Sequence, residues 1–236
     1  MGTSVPTITM AEFEAIPFTV NCSVVYDRGE HLLVGASPGN GYFTRERVSA
    51  LLAWARPRFD SVDVVYADRE VDTMLVALGY DPDRARRRAT KDVRALRRRI
   101  LQGIEISGSD ARCTALSAFE DDPAYLSLRA DVEKAMLDDP EFRGVCERTI
   151  RRFLLPRRGE AEPTAEQWDA GMRYLARELP FFLDTPAILG VGSSVSCYHV
   201  EMPPTELLFT RERGLRAAAS QAYATIRPLP REGVRR

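Results

Sequence analysis

His31-Leu-Leu-Val-Gly-Ala36, followed by Ser37-Pro-Gly-Asn-Gly41, is the stretch that decides the fold. The first six residues form a short apolar run, and the next five are typical of a turn. A continuous apolar run of this length that ends in a turn is typical of a strand buried on both faces of a parallel sheet. We therefore predict a central parallel strand over 31–36.

A helix and a second strand follow this first strand. Thr44 is a suitable N-cap for a helix that places Val48, Leu51 and Leu52 on one face and ends near Pro57. Residues 62–66 then read as a second strand. This β-α-β order predicts an α/β fold: a single Rossmann-like domain with a mainly parallel sheet flanked by helices. We expect a loose N-terminal segment over 1–20, the domain over 21–228 and a C-terminal tail over 229–236.

The remaining elements are less sharply defined. We predict a helix over 70–78, a cationic helix over 84–99 and three helices within 124–179, broken at Pro140 and by a loop over 156–163. Residues 187–192 and 193–200 read as strand segments, and Pro203 introduces a short helix. A last strand is expected over 221–226.

Composition limits the class of protein. The chain has 236 residues, of which 44% are hydrophobic and 28% charged, as expected for a globular domain. We find no secretory signal and no apolar run long enough for a membrane helix, so we expect a cytoplasmic protein. The four cysteines are far apart and only His31 and His199 accompany them, so we predict no metal and no cofactor.

Charge is unevenly distributed along the chain. The net charge is -1, yet residues 84–99 hold nine cations and a single anion, a local charge of +8. Residues 119–141 hold eight anions and two cations, a local charge of -6. The basic helix is either a solvated face partly neutralised by the acidic segment or a surface for a polyphosphate partner. Arginines without interleaved aromatic residues favour contacts with backbone phosphates.

Ser37 lies where open α/β sheets bind ligands, at the end of the predicted central strand. Its surroundings fit an ordinary tight turn, but they also match G-x-S-x-G, and Asp184 and His199 follow in the order of a hydrolase triad. The triad hypothesis needs a helix that begins at the serine. Pro38-Gly-Asn-Gly41 instead prolongs the turn, which counts against a serine esterase.

Tyr174 and Glu178 are four residues apart in a helical stretch that ends near Pro180. This spacing places both side chains on one face, where they either form a half-exposed helix surface or grip an ammonium group and relay a proton. Tyr198 and His199 end an apolar strand, and an interior tyrosine with a satisfied hydroxyl is the plainer interpretation there.

Together these stretches resemble the cyclodipeptide synthase family. Its two hallmark motifs stand here as His31-Leu-Leu-Val-Gly-Ala-Ser37 and Tyr174-Leu-Ala-Arg-Glu-Leu-Pro180, in the right order and separation. The resemblance runs from about residue 31 to 226. Asn40 with Tyr198 and His199 is similar to one branch of that family. The resemblance implies a catalytic domain similar to those of class I tyrosyl- and tryptophanyl-tRNA synthetases, without ATP chemistry.

The resemblance also implies an activity: a bacterial enzyme of secondary metabolism that converts two aminoacyl-tRNAs into a cyclic dipeptide by covalent catalysis. Ser37 would be the nucleophile, with Tyr174, Glu178 and Tyr198 as the other catalytic residues. The residues implied in substrate binding are Gly35, Asn40, Leu33, Val65, Phe181, Ser196 and His199. The residues implied in tRNA binding are Arg84, Arg87, Arg88, Lys91, Arg94, Arg97 and Arg98.

Three further expectations accompany the resemblance. We expect a large hydrophobic or aromatic first residue, because Ser196 stands where related enzymes often carry a bulky aliphatic residue. We expect a monomer in preference to a homodimer. A serine esterase using Ser37, Asp184 and His199, or a non-catalytic tRNA-binding module, are the competing hypotheses.

Overall fold

A six-stranded sheet with its strands in the order β1-β6-β5-β2-β3-β4 organises the computed structural model, which describes residues 13–158 and 162–229. The strands are β1 (Phe13–Pro17), β2 (His31–Ala36), β3 (Ser61–Tyr66), β4 (Arg112–Ala115), β5 (Ser194–Tyr198) and β6 (Gln221–Pro228). The α-helices are α1 (Val20–Arg28), α2 (Arg45–Ala55), α3 (Val71–Ala77), α4 (Pro82–Ser107), α5 (Pro123–Asp138), α6 (Pro140–Arg158), α7 (Ala165–Glu178), α8 (Pro180–Leu189) and α9 (Pro203–Thr210). A 3-10 turn covers Leu116–Phe119.

The central position of β2 is confirmed. It pairs in parallel with β3 on one side and with β5 on the other, so that Val34 lies opposite both Val64 and Cys197. From β2 the chain winds outward through β3 and β4, whereas β5 and β6 lie on the other side. The strand order therefore reverses between β2 and β5, and open α/β sheets bind ligands at the carboxyl ends of such strands.

The helices that were expected from the sequence form at or near their predicted places. The Thr44 hydroxyl accepts a hydrogen bond from the backbone N–H of Arg47 (3.1 Å) at the start of α2. The basic helix α4 buries a face that includes Ala85, Ala89 and Leu96 and exposes its cations. At Gly103 it approaches α2 so closely that a Cβ there would lie 2.6 Å from the Val48 side chain.

The predicted loose segment over 1–20 is wrong for residues 13–20. Strand β1 pairs antiparallel with β6, and Phe13 is buried with its ring 6.1 Å from that of Trp54. The Thr19 hydroxyl then caps α1. The alternation of the five strand residues is too short to be recognised without its partner strand. Residues 1–12, and 230–236 of the predicted tail, lie outside the described residues.

Three other predictions about local structure need correction. Residues 187–189 belong to α8 and not to a strand, because the run continues a helix that begins at Pro180 and ends at left-handed Gly190 (φ 68°). The expected loop over 156–163 begins later, since α6 extends to Arg158. Strand β4 was not predicted, because four residues are too few to show a period. No helix in the described part of the chain is long and apolar enough to cross a membrane.

Candidate active site at the carboxyl ends of β2 and β5

A cavity of about 680 Å³ opens at the carboxyl ends of β2 and β5. The turn after β2, helix α7 and the end of β5 surround it. It brings together all four predicted catalytic residues, Ser37, Tyr174, Glu178 and Tyr198, although they lie up to 161 positions apart in the chain. Gly35, Asn40 and His199 also line it. The volume is in the range of small-molecule sites.

Ser37 is the first residue after β2, and the backbone of the following turn holds it at the cavity wall. Its carbonyl accepts a hydrogen bond from the N–H of Asn40 (3.3 Å). Helix α2 begins only at Arg45, so the serine does not start a helix as a hydrolase elbow requires. No atom lies within 4 Å of the position a Cβ would take on Gly35, which leaves the strand end open to a ligand.

Tyr174 and Glu178 project from the last turn of α7 toward Ser37. The Tyr174 hydroxyl is hydrogen-bonded to Glu178 and to Ser37. Both side chains are reached only through the cavity and are otherwise surrounded by protein. This desolvation raises the pKa of Glu178 to about 7 and raises the pKa of Tyr174 well above its ordinary value. A carboxyl with this pKa exchanges a proton near neutral pH.

Asn40 connects the serine turn with the end of β5. Its side-chain amide donates to the Tyr198 hydroxyl (3.0 Å) and to Nε2 of His199 (3.1 Å), while its carbonyl oxygen accepts from the N–H of Tyr42 (2.9 Å). Tyr198 is also hydrogen-bonded to Ser37. Desolvation, with a smaller contribution from Arg47, lowers the pKa of His199. Neutral His199 therefore serves as an acceptor for Asn40.

The apolar lobe of the cavity contains all four predicted side-chain contacts. Leu33, Val65 and Phe181 form one buried cluster with Leu116, and Ser196 lines the same cavity. The Ser196 hydroxyl donates to the carbonyl of Phe181 (3.1 Å) and accepts from the Gln221 side-chain amide (3.0 Å). The lobe thus has an apolar lining with one polar group in its wall.

A second part of the cavity wall was missed by the sequence analysis. It comes mainly from α6 and α9 and the segments beside them, and its residues include Thr149, Ile150, Arg152, Met202 and Pro203. These positions follow ordinary helix patterns, so no local signal separates residues that face a cavity from residues that face a core. Arg152 donates to the carbonyl of Glu201 (3.3 Å) at this wall.

The residues of the competing esterase hypothesis do not meet. Asp184 sits at a kink in α8, where its carboxylate accepts from the N–H of Ala187 (3.0 Å) and lines a different cavity from Ser37. Nε2 of His199 contacts Asn40. The described residues also contain no cluster of three or more side chains suited to a metal ion.

The basic helix α4 exposes all of the predicted tRNA-binding residues. Arg87, Lys91, Arg94 and Arg98 share one face, and within the described ranges none of them has a carboxylate partner. Arg86 and Arg88 pair with Asp83 and Asp92 of the same helix. The acidic helix α5 forms ion pairs within itself, as between Arg129 and Glu133, so its charge does not neutralise α4 through any described ion pair.

Comparison with known proteins agrees with this geometry. A family model described as cyclodipeptide synthase matches residues 13–228. A cyclo(L-tyrosyl-L-tyrosyl) synthase of Mycobacterium tuberculosis is 40% identical over 97% of this chain and 81% of its own length. A cyclo(L-leucyl-L-phenylalanyl) synthase of Streptomyces noursei is 39% identical over 87% of each chain.

Solved structures match in the same way. A Mycobacterium tuberculosis structure has a TM-score of 0.84 at 39% identity, with 97% of this chain and 99% of that chain covered. It is described as demonstrating that cyclodipeptide synthetases are related to type I tRNA synthetases. A cyclodipeptide synthase from Bacillus thermoamylovorans has a TM-score of 0.86 at 26% identity, covering 92% and 97%. With its parallel sheet and its cavity at the strand ends, this chain belongs to the cyclodipeptide synthase family of tRNA-dependent aminoacyltransferases.

Proposed function

We propose that this enzyme forms its cyclic dipeptide through an aminoacyl ester on Ser37. The observation that carries the proposal is the meeting of the Ser37 hydroxyl with Tyr174 and Tyr198 beside the raised-pKa carboxyl of Glu178. A nucleophilic hydroxyl next to proton-exchanging groups is the usual arrangement for covalent acyl transfer. Aminoacyl esters are already activated, so the reaction needs neither a nucleotide nor a metal.

The first step loads the serine. Ser37 Oγ attacks the ester carbonyl of the first aminoacyl-tRNA, the bond to the terminal ribose oxygen breaks, and that oxygen leaves as a hydroxyl carrying the proton that the serine gives up. The product is an ester between the amino acid and Ser37. The open end of β2 at Gly35 leaves room for the backbone of this aminoacyl group.

The second and third steps form the two peptide bonds. Glu178 and Tyr174 hold the ammonium group of the bound amino acid, and the Glu178 carboxylate takes a proton as the free amine attacks the second aminoacyl-tRNA. The second tRNA leaves with a free ribose hydroxyl, and a dipeptidyl ester remains on Ser37. The amine of the second residue then attacks this ester, which closes the ring and frees the serine, while Tyr198 relays the proton.

The lining of the apolar lobe supports a large hydrophobic or aromatic first residue. Leu33, Val65 and Phe181 supply apolar contacts, and the short Ser196 side chain leaves depth in the wall. The names of the two relatives above contain tyrosyl, leucyl and phenylalanyl residues, which are all large. We infer that this enzyme makes a product containing at least one such residue.

The free cations of α4 support this helix as the surface for the first tRNA. Arg87, Lys91, Arg94 and Arg98 follow spacings of four, three and four residues and therefore present a continuous positive stripe. Such a stripe suits contacts with successive phosphates. The enzyme would act as a monomer in the cytoplasm, where its charged tRNA substrates are made.

The test is Ser37→Ala with Ser127→Ala as the matched control, because Ser127 is exposed on α5. Extracts of expressing bacteria are analysed for diketopiperazines by mass spectrometry, and the intact protein is weighed after incubation with charged tRNA. We expect an aminoacyl adduct and product with wild type and Ser127→Ala, and neither with folded Ser37→Ala. Full activity of Ser37→Ala would remove Ser37 as the nucleophile, and a product of two small or acidic residues would contradict the inferred substrate class.

A further inference from the structure

Arg177 lies next to Glu178 in α7 but points into a different environment. Its guanidinium bridges two carboxylates: Nε contacts Glu70 at 3.1 Å and Nη1 contacts Glu120 at 2.5 Å. Glu120 also accepts from Arg69 (2.9 Å). The Arg177 side chain is only 19% exposed and the Glu70 side chain 14% exposed, so the pair is better shielded from solvent than most of the ion pairs in the described chain.

The two carboxylates come from the segments that leave the sheet next to the cavity. Glu70 lies between β3 and α3, and Glu120 follows the 3-10 turn after β4. Glu70 has a φ of 59°, and among the described residues it is the non-glycine residue with a positive φ. This left-handed conformation costs about 1 kcal/mol or more for a non-glycine residue. The ion pair with Arg177 therefore holds Glu70 in a conformation that its own backbone disfavours.

The last turn of α7 needs support from outside the helix. Pro180 has no backbone N–H, so the carbonyl four residues earlier loses its usual partner. The carbonyl of Arg177 accepts instead from the hydroxyl of fully buried Tyr125 (3.0 Å), whose ring packs against Phe181. Backbone and side chain of Arg177 are thus both tied to neighbouring elements, on the turn that carries Glu178.

We propose that Arg177 is a positioning residue that fixes the Glu178 carboxylate against Ser37 by clamping the end of α7 to the segments after β3 and β4. The inference rests on the proposed function, in which Glu178 acts on the amine of the aminoacyl-enzyme. Because Glu178 handles the amine in the second step, loss of the clamp affects transfer to the second aminoacyl-tRNA more than it affects loading of Ser37. Misplacement of a reacting group by about 1 Å is enough to cost about 100-fold in rate.

The test compares Arg177→Met with Arg173→Met. Methionine keeps the stem of the side chain and removes both ion pairs. Arg173 lies one turn earlier on α7, reaches Glu70 only at 3.6 Å and pairs with Asp169 on the surface, which makes it the matched control. Bulk bacterial tRNA charged with a complete amino-acid mixture serves as substrate. Loading is followed as the Ser37 adduct by intact mass, and transfer is followed as product formed in a single turnover.

We expect Arg177→Met to lower the transfer rate by about 10- to 100-fold while loading changes by less than about 3-fold. Arg173→Met should keep both rates within about 2-fold of wild type. Arg177→Lys, which keeps one charge, should recover part of the transfer rate. Transfer at the wild-type rate in Arg177→Met, or an equal fall in both steps with a lower melting temperature, would overturn the positioning role. Absence of any adduct on wild type would instead show that the proposed function is wrong.

Discussion

Removing the charge of Glu178 should stabilise the protein while it abolishes turnover. Desolvation raises the pKa of Glu178 to about 7, against an ordinary value of 4.5. The folded protein therefore binds this proton more tightly than the unfolded chain does. Between about pH 4.5 and 7 the unfolded chain releases the proton first, so the contribution of this group to stability falls as pH rises.

The size of the effect follows from the two pKa values. At 1.36 kcal/mol per pH unit, the difference between 4.5 and about 7 corresponds to up to about 3 kcal/mol at pH 8. Glu178→Gln removes the ionisable group and keeps its shape and its acceptor for the Tyr174 hydroxyl. We expect this variant to be more stable than wild type by up to about 3 kcal/mol at pH 8, or about 6–12 °C in melting temperature for a chain of this size. At pH 5 most of this gain should disappear.

The assay is urea unfolding of wild type and variant at pH 5 and pH 8, with product formation measured in parallel. Using the difference between the two proteins cancels the titration of all other groups. Glu166→Gln is the matched control because Glu166 is exposed in the first turn of the same helix, and it should stay within about 0.5 kcal/mol at both values. A stability difference that does not change with pH would refute a raised Glu178 pKa. A more stable variant with wild-type turnover would refute the catalytic role.

Three further perturbations test other parts of the structure. Ser196→Leu adds volume to the apolar lobe and removes the contact with Gln221, so mass spectrometry should show a fall in products containing an aromatic residue; an unchanged product spectrum would place the first side chain elsewhere. Neutralising Arg94 and Arg98 should weaken tRNA binding, and the slope of log K against log salt should fall by about 0.9 per lost phosphate contact; an unchanged slope would mean that these arginines make no such contact. Asp63→Asn weakens the buried contact with His31 (3.0 Å) and the pair with Arg112, and should cost about 2 kcal/mol in urea unfolding at pH 7; a cost below about 0.5 kcal/mol would contradict a stabilising role.

The sequence by itself determined the central strand, the flanking helices and the chemical character of the site. The run from His31 to Ala36 is too apolar for any place but the interior of a sheet, and Thr44 marks the start of α2 by its capping chemistry. Short and long-range elements escaped. Strand β1 exists only because β6 offers it a partner, and residues 187–189 continue a helix that a six-residue window does not reveal.

Only the tertiary structure decided how the site is assembled. Ser37 meets Tyr174 and Tyr198 because the strand order reverses between β2 and β5 and because α7 ends over that crevice, and neither is visible in a local pattern. The raised pKa of Glu178 and the bridging of Glu70 and Glu120 by Arg177 depend on packing between segments that are distant in the chain. Local sequence specifies which groups are available, whereas desolvation and long-range contacts specify which of them act together.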